Sequence, residues 1–125
     1  MNEIFITRHY LREHPNEIFV FGDNSLHRGK RGAAVLRDEP NTYGFLTKKY
    51  PSLNKDAFFK PSEYELVYRR EIRKLIYEIG RNSGKIYLIS KLGAGLANKF
   101  RIFQKIIEPN IKEDLKGYRN VRFLW

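Results

Sequence analysis

The sequence lacks cysteine altogether and contains only one methionine and one tryptophan. Without cysteine, the chain can form neither a disulfide framework nor a thiolate metal site. His9, His14 and His27 do not have the close spacing of metal ligands, so we interpret them as ordinary polar side chains. We therefore predict no metal site and no cofactor.

Long apolar runs are also missing. No uninterrupted apolar stretch approaches the length of about 20 residues that spans a bilayer. The first residues do not resemble the apolar core of a signal peptide. We expect a cytoplasmic protein that does not associate with a membrane.

Acidic residues are scarce relative to basic ones, with 14 against 24 and a formal charge of +10. A surface of this charge attracts polyanions, so the sequence favours a phosphate-bearing partner. Arg69, Arg70, Arg73 and Lys74 form one basic group, which fits a solvated helix face as well as a nucleic-acid surface. The length of 125 residues and the hydrophobic content of 42% indicate a single folded domain, residues 1–125.

Short β-branched and aromatic runs predict buried strands. The segments between them are suited to helices, and the clearest helix is predicted to begin at Ser62, with Glu65 completing a capping box, and to end at Gly80 or Gly84. A second amphipathic helix is predicted from near Asn98, interrupted near Pro109. The predicted strands are residues 3–7, 17–22, 43–47, 85–90 and 120–125, and shorter helical segments are predicted within 8–15 and 32–39.

This alternation of strands and helices predicts an α/β protein. Residues 85–90 are apolar on both faces of the predicted strand, which is typical of a central strand in a covered, parallel sheet. We expect a three-layer α/β/α sandwich with a mixed, mainly parallel sheet.

The stretch "LISKLGAGLANKF", residues 88–100, passes from a strand into small residues and then into the second predicted helix. Gly93 and Gly95 allow a ligand to approach the main chain closely. A helix that starts near Asn98 would present free N–H groups and a positive dipole end to an anion. The stretch therefore predicts a phosphate cradle, and a tight strand-to-helix connection is the alternative.

A second loop, "FVFGDNSLHRGKRGAAV" at residues 19–35, repeats this pattern. Because ligands of such sheets bind beyond the carboxyl ends of strands, we expect the two loops to face each other and clamp a diphosphate. The Asn24 amide would then reach a ribose hydroxyl. Alternatively, Asn24 forms a helix cap or an Asx turn within its own loop.

These two loops, in this order, resemble those of the macrodomain superfamily, which binds ADP-ribose. The stretch "FLTKKYPSLNKDAFFKPSEYE" followed by "KLGAGLA" is similar to the terminal ADP-ribose protein glycohydrolase branch, and the "VFG-N" opening to phage-associated macrodomain-like proteins. The resemblance extends from Ile18 onward and implies a macrodomain-like fold. It implies ligand contacts at Gly22, Asn24, Ser25, Gly29, Gly32, Ala33, Ser90, Leu92, Gly93, Ala94, Gly95, Leu96, Ala97 and Asn98.

The resemblance also implies a catalytic lysine, Lys48, which would attack the anomeric carbon of an ADP-ribosyl group. An amine must be neutral to attack, so the site must lower the pKa of this lysine from about 10.4. We expect Lys49, or Lys91, to do so by like-charge repulsion. The assisting aspartate of that branch is replaced by Ala97 here, which leaves Asp23 as a substitute if it faces the cleft.

Three functions are compatible with these patterns. The first is hydrolysis of ADP-ribosyl linkages on a macromolecule, for which a nucleic acid suits the basic charge better than an acidic protein does. The second is a module that binds or sequesters a nucleotide-derived ligand without chemistry, which the replacement at Ala97 favours. The third is a basic nucleic-acid-binding protein in which the glycine loops serve only the fold.

Overall fold

A computed structural model describes residues 3–125, with the side chain of Ala33 excluded. The ligand contact predicted for the Ala33 side chain therefore lies outside the described residues. The regular elements are α1 (Arg8–Glu13), β1 (Glu17–Asn24), a 3₁₀ helix (Gly32–Leu36), β2 (Thr42–Lys48), a 3₁₀ turn (Lys55–Ala57), α2 (Pro61–Arg81), β3 (Ile86–Ile89), a π-helical turn (Phe103–Ile107), α3 (Glu108–Asp114) and β4 (Val121–Phe123).

The four strands form one sheet in the order β2-β1-β3-β4. All three strand pairs are parallel, so the α/β class is confirmed, and the predicted mixed sheet is all-parallel in residues 3–125. Each parallel connection needs a crossover, and α2 carries the chain from β2 at one edge to β3 on the far side of β1. β1 therefore lies inside the sheet, with β2 and β3 as its neighbours.

Helices cover both faces of this sheet, because successive residues of β1 point to opposite sides. Val20 packs into the larger apolar cluster, together with Leu75 of α2 and Ile111 of α3. Phe19 and Phe21 pack into a smaller cluster with Leu11 of α1 and Leu36 of the 3₁₀ helix. Burial on both faces is what a parallel sheet requires.

Residues 3–7, predicted as a strand, have no regular structure. The Ile4 N–H donates to the Leu124 carbonyl oxygen (2.6 Å), but no ladder follows. Ile4 and Phe5 are exposed, Phe5 by 79%, and Ile6 alone of this segment packs against the smaller apolar cluster. The other four predicted strands are confirmed with small shifts of their bounds, to β1, β2, β3 and β4.

The predicted ends of the helices need correction. α2 begins at Pro61, one residue before the predicted start, because proline has the right φ for a first helical residue and lacks the N–H that would be unpaired there. The capping carboxylate is Glu63, which accepts from the Lys60 N–H (2.9 Å), so Glu65 has no such role. α2 ends at Arg81, not at either predicted glycine.

The second predicted helix starts at Ile102, not near Asn98. Asn98 precedes it and caps it, because its Oδ1 accepts from the Phe103 N–H (3.1 Å). Pro109 does not break the helix. Pro109 lies in the first turn of α3, where a missing N–H costs little. The π-helical turn directly precedes α3.

β2 is an edge strand whose outer edge is covered by side chains of α2. The Leu46 N–H donates to Glu71 Oε1 (2.8 Å), and the Tyr64 hydroxyl donates to the Leu46 carbonyl oxygen. Both partners are buried. Their bonds occupy backbone groups that would otherwise be free to pair with another strand.

Gly44 of β2 lies directly beneath the Asp23 carboxylate, and a Cβ at this position would lie 2.9 Å from Asp23 Cβ and Cγ. We predict that Gly44→Ala lowers the free energy of unfolding by about 1–3 kcal/mol, because the added methyl group displaces Asp23. Urea denaturation measures this loss.

Gly80 of α2 provides the matched control, since a Cβ there meets nothing within 4 Å. Gly80→Ala is expected to raise stability by up to about 1 kcal/mol through helix propensity. A Gly44→Ala protein as stable as the wild type would contradict the packing described here.

Candidate functional site

The loops that follow β1, β2 and β3 enclose a cleft of about 620 Å³ at the carboxyl edge of the sheet. The two glycine loops meet there, because a Cβ on Gly32 of the first loop would lie 3.2 Å from Leu96 Cδ1 of the second. The structure thus brings together nine of the predicted site residues as lining of the cleft: Gly22, Asp23, Asn24, Gly29, Lys48, Gly93, Gly95, Leu96 and Ala97.

Six other predicted residues do not line the cleft, and most have structural roles instead. The Ser25 hydroxyl donates to the Lys49 carbonyl oxygen, and the Ser90 hydroxyl donates to the Val20 carbonyl oxygen (2.6 Å). Leu92 is part of the larger apolar cluster. The six residues are Ser25, Gly32, Ser90, Leu92, Ala94 and Asn98.

Several residues of the cleft wall were not predicted as site residues, most of them charged or in the loop after β2. Three of the basic ones, Arg28, Lys30 and Arg31, are next to Gly29 and Gly32 in the sequence, but the pattern did not show which way they point. The additional lining residues are Arg28, Lys30, Arg31, Ala34, Thr47, Pro51, Ser52, Leu53 and Lys91.

Asp23, the predicted substitute acid, is buried and fully engaged. Its carboxylate lies 2.7 Å from Arg37 Nη2 and 2.8 Å from His27 Nδ1, and it accepts from the Asn24 N–H (2.7 Å). Burial would raise the pKa of Asp23, but these three partners hold it below its ordinary value. A carboxylate that stays ionised and paired is poorly suited to donate or accept a catalytic proton.

Arg37 connects this carboxylate to the first loop. Its Nε donates to the Gly29 carbonyl oxygen (2.8 Å) and its Nη2 to the Arg28 carbonyl oxygen (3.1 Å). The guanidinium carbon lies 5.2 Å from the centroid of the Phe21 ring. One half-buried side chain therefore determines the course of the loop over the sheet.

Asn24 also binds within its own loop. Its Nδ2 donates to the Arg28 carbonyl oxygen (2.7 Å), and its Oδ1 accepts from the Leu26 N–H (3.0 Å). This is the Asx turn that the sequence left open as an alternative. Its amide stabilises the loop rather than being free for the predicted contact to a ribose hydroxyl.

Lys48 is the last residue of β2 and lines the cleft. Its Nζ lies 4.7 Å from the centroid of the Phe58 ring. Burial lowers the pKa of Lys48, and the positive charge of Arg31 lowers it further. Lys49 and Lys91, the neighbours expected to lower this pKa, do not contribute, and Lys49 Nζ is paired with Glu63 Oε2 at 2.9 Å.

The lining of the cleft is strongly cationic. Asp23 is the one carboxylate that lines it in the part of the chain described, and its charge is balanced by Arg37. The helix after the second glycine loop does not offer the Phe103 N–H to an anion, because Asn98 Oδ1 accepts it. An anion would therefore be held by loop backbone and by five side chains: Arg28, Lys30, Arg31, Lys48 and Lys91.

In residues 3–125, no three His, Asp or Glu side chains lie close enough together to hold a metal ion. Within the same residues, no helix combines the length and apolar character needed to cross a bilayer.

Comparison with known proteins gives one family. Residues 1–99 match DUF7831, a family of unknown function. The chain belongs to this family. The DUF7831 region includes β1, β2 and β3, and it includes every residue that lines the cleft. No curated protein and no solved structure matches the chain.

Gly93 and Gly95 of the second glycine loop, both within the DUF7831 region, differ in how much room they leave for a side chain. Gly93 has φ +78°, and a Cβ there would lie 2.6 Å from Ile107 Cδ1, whereas a Cβ on Gly95 meets nothing within 4 Å. We predict that Gly93→Ala lowers the free energy of unfolding by about 2 kcal/mol, through backbone strain and overpacking.

Gly95→Ala is the matched control and is expected to change that free energy by less than about 0.5 kcal/mol. Chemical denaturation of both variants measures the difference. Equal losses at the two positions would show that the backbone of this loop is not constrained as described.

Proposed function

We propose that the cleft binds ADP-ribose or a related nucleotide and that Lys48 removes ADP-ribosyl groups from a macromolecule. The observation that carries the proposal is the meeting of two glycine loops in one cationic cleft. Its volume of about 620 Å³ is in the range of small-molecule sites, about 300–1,000 Å³. A diphosphate between the loops would offset the charges of the lining.

The architecture supports the same proposal. β2 lies on one side of β1 and β3 on the other, so the cleft is at the point where the connections diverge, the usual ligand position in such sheets. With α1 and the 3₁₀ helix on one face and α2 and α3 on the other, we infer a three-layer, macrodomain-like arrangement.

Lys48 has the environment that an amine nucleophile needs. Burial and Arg31 both lower its pKa, which increases the neutral fraction of the amine. In the proposed step, the nitrogen forms a bond to the anomeric carbon while the bond from that carbon to the macromolecule breaks. The amine loses a proton, the leaving atom gains one, and water then releases ADP-ribose and restores Lys48.

A second candidate is a module that binds the same ligand without chemistry. Ala97 lines the cleft and cannot transfer a proton, and the carboxylate of Asp23 is occupied by Arg37 and His27. No lining side chain in the described structure therefore supplies a free acid, and water would have to protonate the leaving atom.

Lys48→Ala separates the two candidates, and Lys49→Ala is its matched control because Lys49 is the adjacent lysine and is paired with Glu63. With ADP-ribosylated protein and ADP-ribosylated oligonucleotide as substrates, we expect Lys48→Ala to slow release of ADP-ribose by at least about 100-fold. The Lys49→Ala protein should retain its activity.

Wild-type protein that binds ADP-ribose but releases none from either substrate would identify the non-catalytic module. Turnover by Lys48→Ala at the wild-type rate would exclude Lys48 as the nucleophile.

The lowered pKa of Lys48 also predicts how its reactivity depends on pH. Its rate of reductive methylation should rise with pH as the amine loses its proton, and should reach half its maximum below the ordinary lysine value of about 10.4. Arg31→Gln removes a positive charge, so it should move the half-maximum to higher pH.

Mass spectrometry of the labelled peptides follows Lys48 and Lys49 in the same sample. A half-maximum for Lys48 at or above about 10.4, or no shift in Arg31→Gln, would contradict the environment assigned to Lys48.

A further inference from the structure

The excess of basic over acidic residues is confined to three segments, residues 25–31, 48–60 and 91–105. They contain 11 of the 24 basic residues and 1 of the 14 acidic residues. The other 13 basic residues are balanced by the other 13 acidic ones. The entire formal charge of +10 therefore lies in these three segments.

The fold brings the three segments together. They follow β1, β2 and β3, and parallel strands end at one edge of a sheet. The Ser25 hydroxyl donates to the Lys49 carbonyl oxygen, which joins the first segment to the second. The second joins the third at Phe58, whose ring centroid lies 4.7 Å from Lys48 Nζ and 5.8 Å from Lys99 Nζ.

Several cations of this surface lie outside the cleft and are exposed. Lys55, Lys99, Arg101 and Lys105 are exposed, and the ion pairs found among residues 3–125 involve none of these four. Like charges gathered on one face repel each other, and a polyanion that spans the face would relieve that repulsion. The cleft can hold only a small molecule, so we expect these exposed cations outside it to bind a larger partner.

We propose that the exposed part of residues 25–31, 48–60 and 91–105, here named the basic rim, binds the phosphate backbone of a nucleic acid. The large apolar side chains exposed on the rim are Leu26, Leu53 and Leu96, none of them aromatic. Tyr50 and Phe100 of the rim are only partly exposed, so the described rim presents no fully exposed phenylalanine, tyrosine or tryptophan ring on which bases could stack. Contacts to phosphates position a protein without reading sequence, so binding is sequence-independent.

Two triple variants with the same charge test the basic rim. Lys99→Gln, Arg101→Gln and Lys105→Gln together form the rim variant. Arg69→Gln, Arg70→Gln and Arg73→Gln together form the control, on the exposed side of α2. Each lowers the formal charge by three, from the +10 of the wild type. The probe is a DNA duplex of mixed sequence, titrated over a series of salt concentrations.

In such a series, the logarithm of the association constant falls linearly with the logarithm of the salt concentration. The slope is about −0.9 for each phosphate contact. We expect the rim variant to bind more weakly, with a slope shallower than the wild type by about 2.7, which corresponds to three lost contacts. The slope of the control should match the wild type. Thermal unfolding checks that both variants fold. If the rim triple does not fold, Lys55→Gln with Lys105→Gln is expected to reduce the slope by about 1.8.

Equal slope changes in the two triple variants would overturn the proposal, since net charge alone would then explain binding. Binding of the wild type to anionic lipid vesicles, without binding to the duplex, would overturn it in favour of a membrane surface. The proposal does not depend on ADP-ribose binding. Lys99, Arg101 and Lys105 do not line the cleft, so titration of the rim variant with ADP-ribose reports on the cleft separately.

Discussion

The buried ion pair between Asp23 and Arg37 is the interaction on which the rest of the site depends. It connects the end of β1 to the residue after the 3₁₀ helix, and Arg37 also holds the carbonyl oxygens of Arg28 and Gly29. The first glycine loop is thereby held over the sheet, and the cleft remains open between the two loops. A buried pair of this kind contributes more to a specific geometry than to net stability. The lack of a side chain at Gly44 leaves room for the Asp23 carboxylate above β2.

The distribution of charge follows from the same arrangement. Cations outside the three basic segments pair with nearby carboxylates, as Arg8 does with Asp38 and Glu39. The loops at the carboxyl edge gather more cations than carboxylates, and although Lys30 and Lys49 are paired with Asp38 and Glu63, this excess of positive charge opposes compactness. Two packed apolar clusters and a covered edge strand stabilise the fold despite it. The chain thus separates a neutral, well-packed body from one cationic face that is suited to anions.

Sequence patterns predicted most of the sheet and the long helix, because Glu17–Asn24, Thr42–Lys48 and Ile86–Ile89 are runs whose composition fits burial. Residues 3–7 have the same composition, but only Ile6 packs against the core and no ladder follows the single bond from Ile4 to Leu124, which local pattern cannot reveal. The meeting of the two loops could be expected from parallel strands alone. The occupation of Asp23 by Arg37 could not, since it depends on a contact between residues 14 positions apart in sequence. Contacts within the loop likewise decided the role of Asn24.

The central claim is that this cleft is a binding site for a nucleotide diphosphate. Calorimetric titration of the wild-type protein with ADP-ribose tests it most directly. The expected result is saturable binding of one molecule per chain, weakened by salt and by competing inorganic pyrophosphate, because the cationic lining would hold the linked phosphates. Absence of saturable binding to ADP-ribose, or binding that pyrophosphate leaves unchanged, would contradict it.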